Sequence, residues 1–346
     1  MKKIVHILPS NGIGGVEEAA KSSIGISSKD YSFEIIYLSL QKNNINVISK
    51  IISIFESFKN TLYLVLNPPD YILLSLWKSC LFGYIVSFFR PNIKIILFLH
   101  LPNSTNILDY LFTKLISKKA LEVWGDSNET LKQRCHELSI KKTITKRKIS
   151  FIKRKIEIIE DQKKINLNFI YWGRIHNQKR LDRAIKLLNK INCETKYNFR
   201  FSIIGPDCGE KKNLKKLIKD YGLNKKVTFF PPMEFNKIIE FSKDYSFFIQ
   251  LSDTEGMGMS VLESMQLGLI PIVTTVGEID KYCCDNKNSI VYKKISTTAK
   301  EIINLFNDKK NFFRIRNQVL KTWRGKITYK ENLTNNFNEI IKNASN

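Results

Sequence analysis

Glu255 and Glu263 stand with seven residues between them in "SDTEGMGMSVLESMQLGLIPIVTTVG", residues 252–277. The strand-like run "YSFFIQLS" precedes Glu255, Gly256 and Gly258 follow it, and "MSVLESMQLG" reads as a helix stopped near Gly268. A helix N-terminus carries unpaired N–H groups and a partial positive charge, which suit phosphate. Helical side chains lean toward that end, so Glu263 is expected to point back to the loop holding Glu255. Carboxylates accept hydrogen bonds from paired hydroxyls. The pattern therefore predicts a phosphate held between two hydroxyl-binding acids, the outline of a nucleotide sugar. Taken alone, the same spacing reads as one surface acid and one solvent-facing helix residue.

Three further groups could carry chemistry. In "NFIYWGRIHNQKRLDRAI" a strand exits into Gly173, and Arg174 and Lys179 follow before a helix. Arginine offers a planar fork to phosphate oxygens and lysine a movable point charge, so the pair suits a diphosphate; otherwise they are two more exposed cations. In "LPSNGIGGVEEAAKS", Gly12, Gly14 and Gly15 lie between a strand and a helix, where backbone N–H groups can cradle phosphate. No G-K-[ST] follows, and the dinucleotide glycine spacing is missing. His100 ends the strand-like run "IILFLH" and reads either as a core histidine or as a site residue.

The elements that must position these residues repeat in two halves. In the first, "KKIVHIL", "FEIIYLSL", "TLYLVL", "IKIILFLH" and "ALEVWG" read as strands; in the second, "LNFIYWG", "FRFSIIG", "KVTFFPP", "YSFFIQLS", "LIPIVTT" and "NSIVYK" do. Helix-like segments intervene, which predicts βαβ units and parallel sheets. Leu181, Ala184, Ile185 and Leu188 recur at i, i+3, i+4 and i+7, one face of a helix, and Gly222 is placed to stop the helix before it. The expected fold is α/β, two doubly wound domains facing a cleft, over 1–160 and 161–325, with a final helix at 326–346 for which a crossing back to the first domain is one of the courses open. The four side chains Arg174, Lys179, Glu255 and Glu263 are expected to share one pocket there, since such sheets bind ligands outside their carboxyl ends. The stretch "YILLSLWKSCLFGYIVSFF", 71–89, holds one charge, Lys78. It is read as a buried helix, with a helix dipping into a membrane surface or a full span as the alternatives.

With 346 residues, 43% of them hydrophobic and 25% charged, the chain is long enough for two cored domains and too apolar for disorder. Its start reads as a first strand and not as a cleavable leader. Six cysteines and four histidines show neither disulfide nor zinc spacing, which points to a reducing, cytoplasmic setting. The net charge of +24 favours anionic partners. Residues 132–164 concentrate it, with twelve Lys/Arg against four acids; this is either solvated surface or a basic face for an anionic membrane leaflet or a diphosphate-bearing lipid.

Together these residues carry a resemblance. "WGRIHNQKRLD" resembles the Gly-Arg…Lys loop of family-4 glycosyltransferases of the GT-B fold, and the 252–279 block resembles their Glu-x7-Glu motif. "FSIIGPDCGEKKNLKKLIKDYGLNKKVTFFPPM" fits the intervening segment, and Gly14–Gly15 and His100 add support from the first half. The resemblance implies retaining hexosyl transfer from a nucleotide diphosphate sugar. Arg174 and Lys179 would hold the diphosphate, and Glu263 the ribose. Glu255, with Gly258, Met259 and Ser260, would contact the donor sugar, while His100, Gly14 and Gly15 would lie on the acceptor side. The first domain departs from the pattern where "KISFIKRKIEII" replaces the usual Asn-Gly turn.

The chain has no D-x-D, so no metal or other cofactor is expected. The expected acceptor is a saccharide carried on a lipid diphosphate, in bacterial O-antigen or capsule synthesis, met by a protein peripheral to the inner face of the cell membrane. Two other readings stand beside this one. A nucleic-acid-binding protein would answer to the charge but would need basic residues interleaved with exposed aromatics. A GT-B protein that binds a sugar nucleotide without catalysis would keep the same fold.

Overall fold

The structure is a computed structural model that describes residues 1–12, 15–39, 47–156 and 165–345. It divides into two compact units, Met1–Arg154 with Ile327–Asn346, and Lys155–Lys326. The join expected at 160–161 falls outside the described residues.

The first unit alternates strands and helices as β1 (Lys2–Ser10), α1 (Gly15–Lys21), β2 (Tyr31–Ser39), α2 (Val47–Leu66), β3 (Tyr71–Ser75), α3 (Trp77–Phe89), β4 (Lys94–Leu99), α4 (Ile107–Ser117), β5 (Ala120–Gly125), α5 (Asn128–Glu137) and β6 (Thr145–Lys148). The sheet is parallel throughout, in the order β2-β1-β3-β4-β5-β6. Its central strands are buried on both faces, which is why β3 and β4 are unbroken apolar runs.

That property misleads local reading at two places. "TLYLVL" is the last part of helix α2 and not a strand. The missing strand lies inside 71–89, which is no single helix: Tyr71–Ser75 is the buried strand β3, Leu76 turns the chain at φ 68°, and only Trp77–Phe89 is helical. A short apolar run lacks the period that separates strand from helix. Among the described residues, no helix is long and apolar enough to cross a membrane. The basic stretch also gains structure: "TKRK" forms the edge strand β6, and Arg147 bonds to both Glu122 and Glu339.

The second unit runs β7 (Phe169–Trp172), α6 (Leu181–Glu194), β8 (Phe201–Ile204), α7 (Lys211–Asp220), β9 (Val227–Phe230), α8 (Phe235–Ser242), β10 (Phe247–Gln250), α9 (Met259–Gln266), β11 (Ile270–Val273), α10 (Ile279–Tyr282), β12 (Ile290–Val291), α11 (Ile295–Asn307) and α12 (Lys309–Trp323). The second sheet is also parallel, in the order β12-β11-β10-β7-β8-β9. Helix α6 buries Leu181, Ala184, Ile185 and Leu188 as its period requires. The order reverses between β7 and β10, since the chain leaves β7 for β8 on one side and reaches β10 on the other. This switch point is where open α/β sheets bind ligands.

The last helix, α13 (Tyr329–Ser345), belongs to the first unit. It starts with a capping box: Thr328 N–H donates to Glu331, and Glu331 N–H donates to Thr328 Oγ1. Phe337 then packs against Tyr31, Phe33 and Trp124 with ring centroids 5.3–5.9 Å apart. The chain end thus supplies a face of the first core.

Candidate active site

The loops after β7 and β10 meet at the switch point of the second sheet. Gln178 Nε2 donates to the Thr254 carbonyl at 2.7 Å, and Asp253 N–H donates to the Gln178 carbonyl at 3.0 Å. Arg180 and Arg183 both pair with Asp253. These bonds hold the two loops in one register.

Within that frame Lys179 Nζ lies 2.6 Å from Glu255 Oε1. Both side chains are largely buried, at 13% and 9% exposure. The same carboxylate oxygen accepts from Gln250 Nε2 at 2.9 Å. Arg174 is exposed at the exit of β7, and its carbonyl oxygen accepts the Tyr171 hydroxyl at 2.8 Å. Burial pushes the Tyr171 phenol well up, helped by the negative charge of Glu255 and opposed by Arg174. The phenol is therefore a neutral donor to the Arg174 carbonyl.

Gly258 caps α9 in a left-handed conformation, φ 64°, and Val261 and Leu262 N–H return to its carbonyl. Met259 and Ser260 N–H lie ahead of those first bonds, so they are the groups α9 offers to an anion. Tyr282 Oη donates to the Met257 carbonyl at 2.6 Å, fixing the loop from behind. Gly277 approaches so closely that a Cβ there would stand 2.1 Å from the Glu255 carbonyl oxygen. Glu278 N–H donates to the Gly256 carbonyl beside it.

Glu263 is less open than its sequence suggests. It is buried, and its Oε2 accepts the Trp172 indole N–H at 3.0 Å. Trp172, Gln178, Gln250, Asp253, Gly277 and Tyr282 were not legible as site residues. All but Gln250 act through a partner distant in the chain, and only Gln250, a lone amide closing an apolar strand five residues before Glu255, carries a local signal.

The first unit has its own polar cluster at the carboxyl side of its sheet. His100 Nε2 contacts Ser75 Oγ at 2.9 Å, and His6 Nε2 contacts the same oxygen at 2.8 Å. The Nδ1 atoms of both rings are buried without a partner among the described residues. Burial lowers both imidazoles to about 3, and a charge on His6 would further disfavour protonation of His100. His100 is therefore a neutral hydrogen-bonding ring at ordinary pH. It borders a hollow of about 70 Å³ with Trp77, Thr105 and the buried Asp109–Arg134 ion pair. Gly15 is the first residue of α1, while Gly14 lies outside the described residues. His6 was read only as part of a strand.

Two parallel six-stranded sheets, flanked by helices and carrying a cationic and an acidic loop at one switch point, define a GT-B glycosyltransferase. The family model for glycosyl transferases group 1 matches residues 149–321, and the chain belongs to that family. Solved structures of the same fold include Anabaena HepE in complex with UDP and glucose, at TM-score 0.76 and 14% identity over 98% of this chain and 100% of that one. The lipopolysaccharide outer core galactosyltransferase WaaB superposes at TM-score 0.67 and 15% identity, over 97% and 99%. A glycosyltransferase from Rickettsia africae does so at 0.73 and 14%, over 99% and 98%. No curated protein sequence matches the chain. Among the described residues, no group of three or more His, Cys, Asp or Glu side chains is placed to hold a metal ion.

Proposed function

We propose that the chain transfers a hexose, with retention of anomeric configuration, from a nucleotide diphosphate sugar to a saccharide carried on a lipid diphosphate, as a family-4 enzyme of bacterial surface polysaccharide synthesis. The observation that carries this reading is the Lys179–Glu255 ion pair, which joins two stitched loops just ahead of the N-terminus of α9, with Arg174 on the first of those loops.

In the transfer, the bond from the anomeric carbon to the diphosphate breaks and the acceptor oxygen takes its place. Negative charge grows on the leaving diphosphate. Lys179 and the Met259 and Ser260 N–H groups are donors held in place before the reaction, and the exposed Arg174 guanidinium would join them on the diphosphate. Lys179 would serve a diphosphate while still beside Glu255, so the acid tempers the lysine until phosphate oxygens displace or extend the pair. Glu255 would take hydroxyls of the sugar. Glu263 would meet the ribose with whatever accepting capacity the Trp172 indole leaves it. His100 would face the acceptor as a neutral hydrogen-bond group. HepE bound to UDP and glucose supports a uridine diphosphate donor as the first to test.

The test is incubation with UDP- and GDP-hexoses and lipid-diphosphate saccharides, with the product anomer read by NMR. An α-linked product from an α-linked donor is expected. An inverted product sinks the retaining assignment; donor binding with neither transfer nor hydrolysis identifies a protein that only binds the sugar nucleotide.

A further inference from the structure

Among the described residues, fourteen of the nineteen large hydrophobic side chains that are exposed fall within residues 51–115. This concentrates the apolar surface on one helical layer of the first unit. Helix α2 shows the reason most plainly, because it is apolar on its outward face while much of its inward face, beside the buried Leu64, is polar. It turns Ser57, Asn60 and Thr61 inward, where Asn60 Nδ2 donates to the Tyr37 and Leu38 carbonyls and the two hydroxyls bond back to their own helix. Outward it presents Ile51, Phe55, Phe58, Leu62 and Leu66, spaced i, i+4, i+7, i+11 and i+15, with Phe55 71% exposed. A helix facing water is built the other way round.

The stripe continues onto its neighbours. Phe58 meets Phe82 of α3 edge to face at 5.7 Å, and Trp77 of α3 stacks on Phe112 of α4. At the far end of α3, Phe88 and Phe89 are exposed, and α4 adds Ile107, Leu108, Leu111 and Leu115. A contiguous exposed apolar face is the kind that marks an interaction surface.

Its charges select the occupant. Lys59, Lys78, Arg90, Lys118 and Lys119 of these segments are exposed, while none of their acids, Glu56, Asp70 and Asp109, is. Arg90 Nε donates to the Val65 carbonyl of α2, and Lys119 Nζ reaches Ser87 of α3, so two of these cations sit where helix ends meet. A second copy docked face to face would oppose like charges, since a two-fold contact meets itself. An anionic leaflet accepts both the apolar stripe and the cations.

We propose that the outward face of α2, α3 and α4 lies on an anionic lipid leaflet, with α2 immersed to the depth of its apolar stripe. This deepens the membrane side of the function proposed above and does not depend on the transfer chemistry.

The full chain is floated with vesicles of phosphatidylglycerol mixed into phosphatidylcholine, and with phosphatidylcholine alone. Binding to the anionic vesicles is expected, weakening with salt. The double variant Phe55→Glu/Leu62→Glu changes only exposed side chains and is expected to lose at least about tenfold in partitioning while its melting curve is unchanged. Uridine diphosphate binding, measured in parallel, reports on the donor site separately. Absence of wild-type flotation overturns the proposal, as does equal flotation of the variant. A concentration-dependent dimer in light scattering that the same variant dissolves would assign the face to a second copy instead.

Discussion

Lys179 and Glu255 form an ion pair of 2.6 Å between the loops that leave β7 and β10. Removing one partner from a buried pair strands the other and typically costs about 3–5 kcal/mol. Lys179→Met or Glu255→Gln alone should therefore lower the unfolding free energy by several kcal/mol. The double variant should recover much of that in urea titrations while turnover stays low. Full additivity of the two losses would show that the pair is not coupled.

Arg174 is exposed and only its carbonyl is held. Arg174→Ala should thus leave stability within about 0.5 kcal/mol yet reduce turnover about a hundredfold, as loss of one oriented donor does. Near-normal kcat would remove it from the diphosphate site.

His6 and His100 are both held neutral by burial, lowered to about 3 from the usual 6.5. Because their folded values are depressed, the unfolded chain binds more protons at acid pH. Their stabilising effect is complete above about pH 6.5 and is lost as pH falls from there toward 3. The two rings together give a slope approaching about 2.7 kcal/mol per pH unit. Unfolding titrations from pH 7.5 to 5 should show His6→Asn with a shallower decline than the wild type. Identical slopes would mean that His6 titrates normally in the fold.

Gly277 has no room for a side chain, since a Cβ would meet the Glu255 carbonyl oxygen. Gly277→Ala should push the Glu255 loop outward, costing about 1–3 kcal/mol and raising the KM for the donor more than that for the acceptor. An unchanged donor KM would separate this contact from the donor site.

No metal is expected to assist the leaving diphosphate. Turnover should persist in excess chelator, with a donor-induced thermal stabilisation of about 2.7 kcal/mol at a hundred times the dissociation constant. Loss of turnover that magnesium restores would place a cation in the reaction.

Much of this was legible in the chain itself. Helix α6 follows from its 3.6-residue period, and α9 from a glycine loop before it and Gly268 after it, because backbone freedom and periodic burial are local properties. The same is true of the residue types at 174, 179, 255 and 263. Residues 61–75 were not legible. Apolar runs buried on both sides carry no period, and only packing decided that "TLYLVL" closes a helix and "YILLS" is the central strand β3. Tertiary structure also decided that Lys179 answers Glu255, that the Trp172 indole occupies Glu263, and that His6 and His100 share Ser75. Each is a contact between elements far apart in the chain whose adjacency comes from sheet order, which no local spacing encodes.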